Sequence, residues 1–302
     1  MDDIDSVDNA CRADLAAKKY CMDLSQILIL AIVQGAAELL PVSSSAHVIV
    51  AEKLMGLDPT APDMTLLLVM LHTGTMFAVI FYFWNAWRTT YFSSIHAFRT
   101  NMRLVVIATL ITGAVGLALL QAIKFVVAAN SREFEIEHLF GNSRLMACSL
   151  AAAGVLIILS SRIKANGNGD LSLRRAAWIG AIQGLCLPFR GFSRSGATIS
   201  AGLVLGVTRR RAEEFSFALA VAITPAVIVR EAYRVVKAYA GPATGQAAAL
   251  LHQVAPSLMG MVFSFLAGLI ALRWLSRWLE QDRWYLFGAY CLLAAMVVLW
   301  VG

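Results

Sequence analysis

The stretch Gln34-Gly-Ala-Ala-Glu38-Leu-Leu-Pro41-Val-Ser43-Ser44-Ser45-Ala-His47 decides how this chain folds. It closes an apolar run from Leu24 to Ala37, well short of the roughly 20 residues a helix needs to cross a bilayer. A carboxylate, a proline and three serines interrupt the run, and apolar residues resume at Val48–Val50. Half-helix, polar turn, half-helix predicts a re-entrant hairpin, because open backbone at membrane depth is tolerated only where protein buries it or it lines a cavity. A second stretch has the same form. The run Ala176 to Phe189 is broken by Arg190-Gly191-Phe-Ser193-Arg194-Ser195-Gly196 and resumes over Ile199–Val207. Gln34-Gly35, Leu40-Pro41 and Ser43–Ser45 parallel Gln183-Gly184, Leu187-Pro188 and Ser193–Ser195, half a chain apart. Interrupted helices at matching positions predict inverted halves with a site near the midplane.

Between and beyond the two breaks lie six longer apolar runs: Met64–Trp84, Leu104–Ile123, Leu145–Ser161, Phe215–Val229, Ser257–Leu272 and Leu286–Gly302. The 302 residues are 59% hydrophobic and 15% charged, against about a quarter charged in soluble domains. The expected fold is an all-α integral membrane protein, with about six transmembrane helices and two re-entrant helical hairpins in inverted-repeat arrangement. Residues 22–302 form one membrane domain, its repeats spanning approximately 22–123 and 174–302, and the acidic stretch 1–21 is expected to be a disordered tail. The formal charge of +6 resides in short basic clusters between apolar runs, which argues for cytoplasmic loops and against nucleic acid. Arg88, Arg99 and Arg103 put the loop 85–103 inside; Glu133, Glu135 and Glu137 put 125–143 outside; Arg162, Lys164, Arg174 and Arg175 put 162–175 inside. Both termini are then external. Five scattered cysteines suggest neither a disulfide framework nor zinc.

Each ionisable residue inside a membrane costs about 2.5–3.5 kcal/mol at a helix centre, so Glu38, His47, Arg190 and Arg194 are functional candidates. Gln34 and Glu38 share a helix face. Ser43, Ser44 and Ser45 suit the N-terminus of a half-helix whose free N–H groups bind an anion. Ser44 and His47, three apart, suit a nucleophile and its base. In the second turn Gly191 and Gly196 allow close backbone approach, and Arg194 among the hydroxyls of Ser193, Ser195 and Thr198 suits a phosphate.

The first motif resembles the (E/Q)xxxE…PVSS…H element of undecaprenyl-diphosphate phosphatases, the family linked to bacitracin resistance. Gly191-Phe-Ser-Arg-Ser-Gly-Ala-Thr198 resembles that family's PGxSRSxxT element, and Glu214-Phe-Ser-Phe217 resembles a further segment. The resemblance runs from about residue 24 to the C-terminus. It implies an inner-membrane hydrolase that removes one phosphate from C55 isoprenyl diphosphate with a divalent cation, Mg2+ or Ca2+, recycling the lipid carrier of cell-wall synthesis. Carried over, Glu38, Ser44, His47 and Arg194 are catalytic, with either Ser44 or His47 attacking phosphorus. Ser43, Ser45, Ser193, Ser195, Gly196 and Thr198 bind phosphate, Glu38 and Gln34 hold the metal, and Arg190 and Glu214 are further candidates. The partners implied are a polyprenyl diphosphate lipid and the membrane, with a homodimer as the candidate assembly. Arg190 stands where the family has Pro, and Gln34 is the uncharged option at its position. The alternative is a secondary transporter or lipid flippase with a midplane anion site, which shares the hairpins but does not need a nucleophile and base. A general lipid phosphatase with PSGH and SRxxxxxH elements needs a second His, for which the chain offers only the distant His252.

Other polar residues read as structural. His72, inside an apolar span, has no motif around it; His96, His138 and His252 read as loop residues. Glu213 and Glu214 beside Arg209–Arg211 read as a solvated charge cluster, and Trp84, Trp87, Trp274, Trp278 and Trp284 as interfacial anchors.

Overall fold

The computed structural model describes residues 22–57, 62–128, 142–163, 169–239 and 246–301. The expected tail 1–21, the acidic residues Glu133, Glu135 and Glu137, Lys164 and His138 lie outside them. In chain order the described residues form helices α1 (Leu24–Leu39), α2 (Ser44–Leu54), α3 (Pro62–Thr90), α4 (Ile95–Ala128), α5 (Ser143–Ser161), α6 (Leu173–Cys186), α7 (Arg194–Val204), α8 (Arg209–Tyr239), α9 (Gln246–Glu280) and α10 (Trp284–Val301). There is no strand among them.

Six of these helices, α3, α4, α5, α8, α9 and α10, are long and apolar enough to cross a membrane. They cover the six apolar runs and mostly extend beyond them. The cause is pairing at the helix ends. A charged residue marks the end of an apolar run but need not end a helix when it finds a partner. Thus α8 begins at Arg209 and carries Glu213 and Glu214 in its first turns. Both acids are buried, which corrects the expectation of a solvated cluster. Glu214 accepts from Arg210 Nε at 3.0 Å and faces Arg211 at 3.8 Å, while Glu213 accepts the Ser276 hydroxyl. Arg211 in turn lies over the Tyr91 ring, 5.2 Å from its centroid. Burial pushes the Tyr91 phenol up to about 12, so it stays protonated at neutral pH. His96 and His252 are helical, on α4 and α9, rather than in loops.

The two interrupted runs form shorter helix pairs. Leu40, the residue before Pro41, is extended (φ −71°, ψ 152°), as proline demands of its predecessor, and this ends α1. The four residues to Ser43 reverse into α2, and Ser43 takes a positive φ of 66°. The second break runs from Leu187 to Ser193, with Gly191 at φ 98°. Each first half-helix seats against a long helix from the far part of the chain, and glycine permits the approach. A Cβ at Gly35 would come within 2.6 Å of the Ser264 carbonyl oxygen on α9; one at Gly184 would come within 2.9 Å of the Thr112 carbonyl oxygen on α4. Thr112 fastens this second contact, donating to Gly180 O at 2.9 Å and accepting from Gln183 Nε2 at 3.2 Å.

Around these seats the core is aliphatic and aromatic. Leu30, Leu67 and Leu71 pack in one cluster; Phe215, Phe217, Leu272 and Leu275 belong to the other. Phe83 on α3 stacks on Phe217 of α8 at 5.2 Å. Trp87 and Trp284, expected at the interface, are buried instead. Trp284 Nε1 donates to Ser160 at 3.2 Å and Ser200 at 3.3 Å, so its polar edge is satisfied inside the protein. Trp84 and Trp274 remain exposed.

Candidate active site

The two breaks meet. Ser195 Oγ on α7 donates to the Leu40 carbonyl at 3.2 Å, and Cys291 Sγ on α10 donates to the Pro41 carbonyl at 3.1 Å. These bonds satisfy carbonyls that the end of α1 would leave open. Where the turns touch there is a cavity of about 110 Å3, lined from one turn by Glu38 and Ser43–Ser45 and from the other by Phe192, Ser193, Arg194 and Ser195. The starts of α2 and α7 therefore flank one small polar space. Unpaired N–H groups and the positive ends of two helix dipoles both favour an anion there.

Glu38 is the hub. Its Oε2 accepts from Ser44 Oγ at 2.6 Å and from Gln34 Nε2 at 3.1 Å; its Oε1 accepts from Arg194 Nη2 at 3.3 Å. The residues concerned are contributed by both breaks, so the chemistry exists only in the folded assembly. Arg194 Nη1 is buried and has no protein partner among the described residues. An unused guanidinium donor at the wall of an anion-sized cavity is a group left for a ligand oxygen.

The structure separates some residues that spacing put together. Ser44 does not bond His47, despite their positions three apart on α2. The His47 ring turns away: Nδ1 lies 2.8 Å from the Ser43 carbonyl and Nε2 lies 2.7 Å from the Tyr290 hydroxyl. A carbonyl only accepts, so Nδ1 carries the proton and Nε2 accepts from the phenol. His47 and Tyr290 border a second hollow of about 330 Å3 whose other walls, among them Val33, Val50, Leu54, Leu293 and Val297, are apolar. Thr198 is fully buried and bonds Ser216 Oγ at 2.6 Å, joining α7 to α8 and not lining the cavity. The Gly196 N–H donates to Ser193 Oγ at 3.3 Å, as an N-cap requires. Arg190 is exposed, outside the cavity wall, and its charge acts on Glu52 of α2. Glu214 belongs to the arginine network at the start of α8.

His72, read from the sequence as structural, joins the hydrogen-bond network around Glu38. Its Nδ1 lies 2.8 Å from the Leu68 carbonyl, which makes Nε2 the acceptor, and Gln34 Nε2 approaches that atom at 3.2 Å. His72 Nε2 is also 3.8 Å from Glu38. The available signal was a polar residue within an otherwise apolar span. Tyr290 and Cys291 had no such signal, because they meet the turn only through tertiary packing.

Among the described residues no three His, Cys, Asp or Glu side chains cluster as a metal cage. The oxygens of Glu38 and Ser44 are of the kind Mg2+ or Ca2+ accepts when one carboxylate and substrate phosphates share the coordination, whereas Gln34 turns its amide nitrogen to Glu38 and His72.

A helical multi-pass membrane protein with a small polar, anion-type cavity at the meeting of two broken helices is the class that fold and site define. The chain matches the model of the bacitracin resistance protein BacA family over residues 27–297, and it belongs to that family. It is 61% identical to undecaprenyl-diphosphatase 2 of Acinetobacter baylyi over 93% of this chain and 98% of that protein. It is also 34% identical to an undecaprenyl-diphosphatase of Desulfosudis oleivorans (93% and 99% covered) and 33% identical to undecaprenyl-diphosphatase 1 of Burkholderia pseudomallei (92% and 96%).

Proposed function

We propose that this protein hydrolyses undecaprenyl diphosphate to undecaprenyl phosphate and inorganic phosphate in the bacterial cytoplasmic membrane, with both termini external. The observation that carries the reading is the convergence of Ser44, Glu38 and Arg194 on one anion-sized cavity. The relatives named as undecaprenyl-diphosphatases supply the substrate.

The diphosphate enters the cavity with its terminal phosphorus facing Ser44. Arg194 Nη1 and the N–H groups at the starts of α2 and α7 hold its oxygens, and Ser43, Ser45, Ser193 and Ser195 complete the shell. Glu38 takes the Ser44 proton as Oγ attacks phosphorus, and the bond to the bridging oxygen breaks. The leaving group is the lipid monophosphate. Water, deprotonated by the same carboxylate after it has released its first proton, then attacks phosphoserine and frees inorganic phosphate. His47 supports this from outside the cavity, held by Tyr290 at the wall of the apolar hollow that suits an isoprenyl tail. A divalent cation held by Glu38 and Ser44 would neutralise charge on the phosphates.

The repeats 22–123 and 174–302, within one domain 22–302, are part of the same proposal. Support comes from the matched seats, Gly35 on α9 and Gly184 on α4.

The test is phosphate release from C55 diphosphate by purified protein, with and without EDTA, beside Ser44→Ala and His47→Ala. Release that EDTA stops and Ser44→Ala abolishes is the expected result. Absence of release by intact, folded protein would overturn the reading in favour of transport.

A further inference from the structure

At the end of α9 and its turn into α10, six side chains border another, open hollow of about 460 Å3: Arg273, Trp274, Arg277, Trp278, Gln281 and Arg283. It is separate from the catalytic cavity. Gly35 of α1 meets α9 at Ser264, and Arg277 lies roughly 20 Å further along that helix at 1.5 Å per residue. Among the described residues none of the three guanidiniums makes a hydrogen bond or ion pair with protein. The acids nearby are engaged or turned elsewhere. Asp282 pairs with Arg209, Glu213 accepts from Ser276, and Glu280, which acts on Tyr82 as Arg273 does, does not line the cavity. Three like charges converging on one concavity repel one another unless an anion joins them, and the planar guanidinium fork matches phosphate oxygens.

The surroundings specify what kind of anion. Trp274 and Trp278 stand edge to face with centroids 4.8 Å apart, and Trp278 rests on Phe287 at 5.2 Å. Indoles of this kind sit at the level of lipid headgroups. Arg273 also lines a larger crevice of about 770 Å3 between α3 and α9, walled by Phe77, Phe81, Trp84, Phe265 and Leu269. A cationic hollow that shares a residue with an aromatic crevice on the membrane-facing surface accommodates a molecule with a charged head and an apolar tail. The Arg209–Asp282 pair ties this turn to the basic start of α8. Basic pockets between membrane helices, at the end where basic loops collect, are suited to acidic headgroups.

We propose that this cavity is a binding site for the phosphate headgroup of an anionic membrane lipid, whose acyl chains lie in the α3–α9 crevice. It is independent of the hydrolytic reaction and of the substrate lipid. The test is thermal unfolding of the purified full chain in detergent, titrated with dioctanoyl phosphatidylglycerol, dioctanoyl phosphatidylcholine or inorganic phosphate. Phosphatidylglycerol raises Tm saturably, whereas phosphatidylcholine with the same tails and phosphate alone do not. Arg277→Gln with Arg283→Gln weakens the apparent Kd for phosphatidylglycerol at least tenfold while hydrolysis in detergent stays at the parent rate. Arg103→Gln, an exposed cation at the basic end but outside the cavity, leaves the Kd unchanged. Equal stabilisation by phosphatidylcholine, full stabilisation by phosphate alone, or parent-like phosphatidylglycerol binding in the double variant would each overturn the proposal. If the double variant does not fold, Arg277→Gln alone decides in its place: at least a threefold loss supports the site, and parent-like binding overturns it.

Discussion

Arg194 acts twice, holding Glu38 with one nitrogen and keeping the other unpaired at the cavity wall. Arg194→Ala is therefore expected to abolish turnover, and Arg194→Lys to lower kcat/KM by about a hundredfold or more, because a point charge cannot serve both partners. Binding of the inactive variants to a non-hydrolysable diphosphate lipid separates lost affinity from lost chemistry. Glu38→Gln keeps the shape but cannot take the Ser44 proton, so kcat falls about 10²–10⁴-fold. Tyr290→Phe removes the hydroxyl at His47 Nε2, and a loss of about threefold is expected, well below that of Ser44→Ala. A Tyr290→Phe loss as large as Ser44→Ala would move the nucleophile to His47. Sequence spacing singled out Glu38, Ser44 and Arg194, which the fold brings together, and paired Ser44 with His47, whose ring instead meets Tyr290. The i, i+3 relation on α2 is real, yet the turn at Leu40–Ser43 folds Glu38 back closer than His47. His72 stood out only as a polar residue in an apolar span; its bond to Gln34 crosses between helices, which spacing does not show.

At the level of helices, the two glycine seats carry the positioning. Gly35→Val and Gly184→Val place side-chain carbons against carbonyls that have no room to move, and each is expected to cost about 1–3 kcal/mol. The measurement is Tm in detergent; Gly113, with open space around its added Cβ, is the control that should stay near the parent after Gly113→Ala. Helix number and order were legible because apolar length is a strong signal when lipid is the solvent. Helix ends were not. Phe215 looked like the start of a span only because two acids precede it, and their burial among arginines and Ser276 is a tertiary fact. Trp87 and Trp284 misled for a related reason, since a tryptophan near a span end suits either the interface or a core that satisfies its N–H.

For the whole molecule, charge patterning predicts one orientation. With native cysteines replaced, a cysteine at exposed Arg99 is expected to react with an impermeant maleimide only after the inner membrane is opened, while a C-terminal tag is cleaved from outside. Labelling of intact cells at Arg99 would reverse the topology. The seating of α1 on α9 also has a consequence for how the chain is made. Gly35 leaves the ribosome long before Ser264, and at about 5–20 residues per second the interval is roughly 10–45 s. Until Arg194 is made, the polar turn around Glu38 has neither that residue nor α9 to cover it, and after that it still lacks α9. Biogenesis must shelter this polar turn until its partners are synthesised, so truncation before Arg194 leaves an unshielded carboxylate for quality-control proteases to find.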